Sequence, residues 1–124
     1  KSLSDRAKLL LESIEESLTK EQVNPKSLTV EHIAPQKLTR EWQQMLGKNY
    51  STVHKKWLHT LGNLTLTGYN SELSNRPFEE KLLLLKTSNL TLNQYFQNID
   101  VWNEETIISR AQYLADIAIK VWPR

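Results

Sequence analysis

The 124-residue chain has no cysteine, which excludes disulfides and thiolate metal sites and is compatible with a reducing cytoplasm. Glycine occurs three times, at 47, 62 and 68, so no glycine-rich Lys-Ser/Thr loop exists to cradle a triphosphate. No apolar run approaches the roughly 18 residues of a membrane-spanning helix. No signal peptide is expected, and the sequence has no internal repeat and no low-complexity tract. Net charge is only +2, little for a nucleic-acid binder if spread evenly. What remains is a chain with 39% hydrophobic and 24% charged residues. This is a globular balance, long enough to bury one core, and the expectation is a cytoplasmic protein.

The charge is unevenly placed. Residues 37–56 carry Lys37, Arg40, Lys48, Lys55 and Lys56 against Glu41 alone, whereas the first 22 residues carry four basic and five acidic side chains. Apolar spacing predicts a helix over 4–20, capped by Ser4 and burying Ala7, Leu10, Leu11, Ile14 and Leu18 behind a solvated acidic face. Thr39 and Gly47 bracket a short helix, and a second runs through Tyr50–Leu58. Trp42 and Trp57 there either stack on bases or pack in the core. Core packing is the commoner use of aromatics at helical spacing. A short helical segment is expected at 70–74. Ser74 or Asn75 is expected to cap the next helix, with Pro77 in its first turn and Phe78, Leu82 and Leu85 buried. Residues 87–102 read as irregular or short-helical. A long final helix begins at Asn103, with Glu104 and Glu105 in its first turn, and ends at Pro123.

Two short stretches stand apart. Leu28-Thr29-Val30 favours a strand that runs out at Glu31-His32 before Ile33-Ala34-Pro35-Gln36 breaks it. Thirty-one residues after His32, Asn63 opens a second strand-like run, Leu64-Thr65-Leu66, which ends at Gly68-Tyr69-Asn70. Carboxylate and amide oxygens are hard ligands suited to Mg²⁺ or Mn²⁺. A histidine can take a proton from water near neutral pH. A catalytic His32 and a hydrogen-bonded core His32 are both open at this point. One difficulty is that neighbouring strand residues face opposite sides, so Glu31 and His32 can serve one site only where the strand ends or distorts. His54 and His59 read as surface or structural histidines.

The ordered set Glu31–Gln36, Leu61–Leu66, Asn70 and Lys81, followed by Arg110 and Val121-Trp122-Pro123, resembles the HNH, or His-Me finger, nucleases. The branch it resembles is the C-terminal domain of GmrSD-type modification-dependent (type IV) restriction enzymes. The resemblance covers residues 27–123. It implies a mainly α fold with a small β hairpin, a ββα-metal core embedded in a helical domain. The expected division is one domain over 1–124: an N-terminal helix and connection (1–26), the ββα-metal motif with a helical insertion (27–75) and helical support (76–124). Because the chain begins with Lys1 rather than Met, it is expected to be a C-terminal piece of a longer protein.

The resemblance further implies a metal-dependent endonuclease that hydrolyses DNA phosphodiesters in restriction of foreign, modified phage DNA. His32 is the implied base, and Asn63 holds the loop that orients it. Glu31 and Asn70 are the implied ligands of one Mg²⁺ or Mn²⁺ ion, with Asn75 a competitor for Asn70. Lys48, Lys55, Lys56, Arg76 and Lys81 are candidate DNA contacts, Lys81 to phosphate. An N-terminal NTP-hydrolysing sensor domain is the expected partner besides DNA, and no membrane is involved. The alternatives are a non-cleaving DNA-binding or assembly module and a purely helical interaction domain in a larger NTP-hydrolysing protein.

Overall fold

The computed structural model describes residues 3–19, 28–68 and 74–121. Among these, six α-helices surround one two-stranded antiparallel sheet. The elements in chain order are α1 (Leu3–Thr19), β1 (Thr29–His32), α2 (Arg40–Leu46), α3 (Tyr50–Trp57), β2 (Leu64–Thr67), α4 (Phe78–Lys86), α5 (Thr91–Gln94) and α6 (Glu104–Val121). Single 3₁₀ turns cover Leu61–Asn63 and Tyr95–Asn98. No helix among the described residues is long and apolar enough to cross a membrane.

The mainly helical architecture with one small strand pair is as the sequence indicates. The helical segment expected at 70–74, which would complete a ββα unit, falls almost wholly on residues 69–73, outside the described residues. Local chemistry explains most boundaries. The Thr39 hydroxyl accepts from the Trp42 amide and Gly47 closes α2 at φ 94°, a conformation in which a Cβ would be strained. At the start of α6, Asn103 Oδ1 accepts from Thr106 N while Thr106 Oγ1 accepts from Asn103 N at 2.8 Å, a reciprocal cap.

Two expectations are corrected. Neither Ser74 nor Asn75 caps α4; Pro77 is its N-cap and no side chain bonds there. The acidic face of α1 is not wholly solvated. Glu15 is buried and accepts from the Thr91 and Leu92 amides at 2.8 and 2.6 Å. Its carboxylate thereby satisfies the bare amides that open α5.

The strand pair aligns Thr29 with Thr67, Val30 with Leu66, Glu31 with Thr65 and His32 with Leu64. β2 is buried throughout. Leu64 and Leu66 join Leu11, Ile14, Leu92 and Leu114 in one apolar cluster. On the same buried strand the Thr65 hydroxyl donates to Asn93, whose amide donates to Leu66 O at 2.8 Å, so these polar groups are paired as burial requires. A second cluster gathers Ile33, Trp42, Val53, Phe78, Phe96, Trp102 and Ile107 and includes the residues at the β1 exit. Trp42 is therefore core, and its indole donates to Arg76 O at 2.7 Å. Trp57 ties α3 to α6 through Glu104 Oε2, also at 2.7 Å.

Candidate active site

β1 ends at His32 because the chain is seized there from three directions. The first is Asn63, fully buried on the 3₁₀ turn before β2. Its Oδ1 accepts from Ala34 N at 2.9 Å and Trp102 Nε1 at 2.8 Å. Its Nδ2 donates to Ala34 O at 2.9 Å and Leu58 O at 3.0 Å, and its backbone carbonyl accepts from Ile33 N at 2.9 Å. An amide used at every position in a dry setting fixes its surroundings, because any slip strands a buried polar group.

The second is Lys81 on α4. It is fully buried, and its Nζ donates to Glu31 Oε2 at 2.8 Å, His32 O at 2.8 Å and Ile33 O at 3.0 Å. Three acceptors saturate an ammonium. Expected as a phosphate contact, Lys81 instead braces the strand end from within. Burial pushes the Glu31 carboxyl above its ordinary range and the Lys81 ammonium below its own, and each charge pulls the other partly back.

The third is His54 on α3, whose Nε2–H donates to Pro35 O at 2.8 Å; the carbonyl can only accept, so the proton sits on Nε2. The same helix turns Lys55 and Lys56 outward, both exposed. Lys48 and Arg76 are exposed as well, Arg76 lying 3.8 Å from Glu80 in a surface pair of little energetic weight.

Beneath Asn63 lies fully buried Arg110 of α6. Its Nη1 donates to the carbonyls of Leu61, Gly62 and Leu64, and its guanidinium rests 5.1 Å from the Phe96 ring centre. Its Nε and Nη2 have no partner among the described residues, and burial lowers its pKa to about 10. Gly62 lets α6 come this close: a Cβ there would collide with the Ile107 carbonyl and meet the Ala111 Cβ at 2.9 Å.

At the strand end, Val30, Glu31, His32, Pro35, Gln36, Lys37, Ser74 and Asn75 line an open cleft of about 410 Å³. The alternation difficulty is met here. Glu31 and His32 reach one cleft because the strand stops at His32. His32 is half-buried, and its Nε2 lies 3.1 Å from Nδ1 of exposed His59. Burial, then the His59 imidazole, Lys81 and His54, lower the His32 pKa to about 4, so the ring is neutral at pH 7. Asn70 lies outside the described residues, while Asn75 is exposed on the cleft wall.

The donor set suits a hydrated hard cation. Glu31 offers a carboxylate and Asn75 an amide oxygen, and no group of three His, Cys, Asp or Glu converges among the described residues. An ion held here would keep most of its shell as water, as Mg²⁺ commonly does. It would also share Glu31 with the Lys81 ammonium, which weakens its hold.

The sequence reading missed His59, the inward Lys81 and the roles of Arg110 and Trp102. A signal for two of them was present: Lys81 stands three residues after Phe78 and four before Leu85, and Arg110 likewise between Ile107 and Leu114, each on its helix's apolar stripe. No curated protein matches the chain. Residues 1–117 do match a family described as GmrSD restriction endonucleases, C-terminal domain. With the match spanning nearly the whole sequence, and buried Asn63 bonded to the Ala34 backbone just past the Glu31-His32 strand end, the chain belongs to the C-terminal domain family of the GmrSD restriction endonucleases.

Proposed function

We propose that this domain is an HNH-type endonuclease that hydrolyses DNA phosphodiester bonds at the cleft formed by Glu31 and His32. The observation that carries this reading is a neutral imidazole on an open cleft, beside a carboxylate, on a strand end locked by Asn63 and Lys81. His32 accepts a proton from water, whose oxygen then attacks phosphorus as the bond to the 3′-oxygen breaks. Asn63 fixes the backbone that follows His32 through Ile33 and Ala34, so the strand end that carries the base needs no reorganisation during the reaction. Glu31 and an asparagine, Asn70 or Asn75, would hold a Mg²⁺ or Mn²⁺ ion, whose charge would stabilise the crowded phosphorus and the leaving oxygen. Sensing of modified bases and use of NTP are assigned to another part of the protein, in the same or a partner chain.

The test is cleavage of supercoiled plasmid. Mg²⁺ or Mn²⁺ is expected to support nicking or cutting, and EDTA to stop it, since the proposed donors are oxygens. Cleavage that persists unchanged in EDTA removes the metal from the proposal. No cleavage with either ion, together with a salt-dependent gel shift, makes the domain a DNA-binding module instead.

Lys48, Lys55 and Lys56 are exposed on α3 and just before it, and α3 is tied to the cleft by His54. Neutralising all three is expected to weaken binding equally for unrelated DNA sequences. The slope of log K against log salt should flatten by about 0.9 for each phosphate no longer neutralised. An unchanged slope would show that this face does not touch DNA.

A further inference from the structure

The geometry points to His59 as the positioning residue for His32: its Nδ1 accepts a hydrogen bond from His32 Nε2–H, fixing the tautomer that leaves the His32 Nδ1 lone pair for the cleft. This inference rests on the reading of His32 as the base.

The two rings meet edge to face, with centroids 5.1 Å apart and planes at 79°. The 3.1 Å contact between His32 Nε2 and His59 Nδ1 admits two tautomer arrangements. If His59 donates, His32 carries its proton on Nδ1, its Nε2 lone pair is occupied, and no basic nitrogen is left. If His32 donates, Nδ1 is bare, and no described residue bonds it. Only the second arrangement lets a base act in the cleft that His32 lines.

His59 is exposed, yet its backbone is anchored on both sides. Leu58 N donates to His54 O at 3.0 Å, and Thr60 N donates to Trp57 O at 3.0 Å, joined there by the Thr60 hydroxyl at 2.7 Å. Asn63 Nδ2 also grips Leu58 O at 3.0 Å. The carboxamide that holds the loop after His32 thus holds the turn that presents His59. One buried side chain sets both histidines in register, a supporting contact of the kind that orients a reactive imidazole through its second nitrogen.

The experiment compares the full chain with His59→Phe, which keeps a ring and removes the acceptor, and His59→Asn, whose amide oxygen can stand where Nδ1 stood. His59→Phe is expected to lower kcat by about 10²-fold with KM within about twofold, because the hydrogen bond it removes positions a base rather than the substrate. His59→Asn is expected to recover most of that loss. His59→Phe cutting at the parental rate, or His59→Asn failing as badly as His59→Phe, overturns the inference.

His32→Ala in the same assay separates the two claims. If it cuts normally, the base assignment falls whatever His59 does. A readout independent of cleavage is nitrogen-15 NMR of the His32 ring. The proton is expected on Nε2 in the parent and distributed over both nitrogens in His59→Phe. A parental proton on Nδ1 refutes the positioning role.

Discussion

His32→Ala is expected to slow plasmid cleavage by about 10²–10⁴-fold, the usual contribution of a positioned general base, while leaving the fold and DNA affinity nearly intact. The side chain is half-buried and, among the described residues, bonds exposed His59 alone, so its removal opens no core cavity. The pH profile carries the sharper form of this prediction. His32 has its pKa lowered from 6.5 to about 4, chiefly by burial. In the free protein its lone pair therefore persists well below pH 6, and the acid limb of kcat/KM is expected between about pH 4 and 5. A DNA phosphate against the ring favours its charged form, so the limb of kcat is expected at higher pH than that of kcat/KM. Stability follows with a definite sign. As pH falls below 6.5 the unfolded chain binds a proton at this position that the native state refuses until about pH 4. Stability from this group is complete above 6.5 and is lost towards 4, and His32→Ala removes that part of the acid sensitivity. An acid limb of kcat/KM at or above 6.5, or a variant that cuts as fast as the parent, would sink the assignment.

Lys81→Met is expected to cost about 3–5 kcal/mol of stability, the range for removing one partner of a buried ion pair. The Glu31 carboxylate would keep its burial and lose its cation, and the carbonyls of His32 and Ile33 would lose their shared donor. Methionine has the right length and no donor, so the effect isolates charge and hydrogen bonding from volume. Denaturant unfolding measures the loss. Adding Glu31→Gln should recover part of it, because the orphaned charge is the larger liability, and a double-mutant cycle reads the coupling directly. A Lys81→Met protein as stable as the parent but weaker on DNA would return Lys81 to the phosphate-contact role and dismiss the brace.

Local events follow from the residues that make them. Thr39 and Gly47 bracket α2 because a hydroxyl can cap amides and glycine tolerates φ 94°. Asn103 opens α6 for the same capping reason. The β-formers at 28–30 and 64–66 form two short strands, and Pro35 follows the end of the first. Glu31, His32 and Asn63 are legible in the sequence as a group because their motif order carries information that composition does not. Tertiary packing alone decides where the long side chains go. Periodicity marks a helix face but not whether a flexible ammonium on that face meets water or three buried oxygens, and Lys81 meets the oxygens. His59 has no sequence signal as a partner of His32, since 27 residues separate them and tertiary contacts, the Asn63 clamp and the His54–Pro35 bond, bring their turns together. The same holds for Arg110, whose burial depends on Gly62 leaving room for α6. Caps, turns and strand preference act within a few residues and can be read along the chain, whereas the partners of a buried charge are fixed by packing between distant segments.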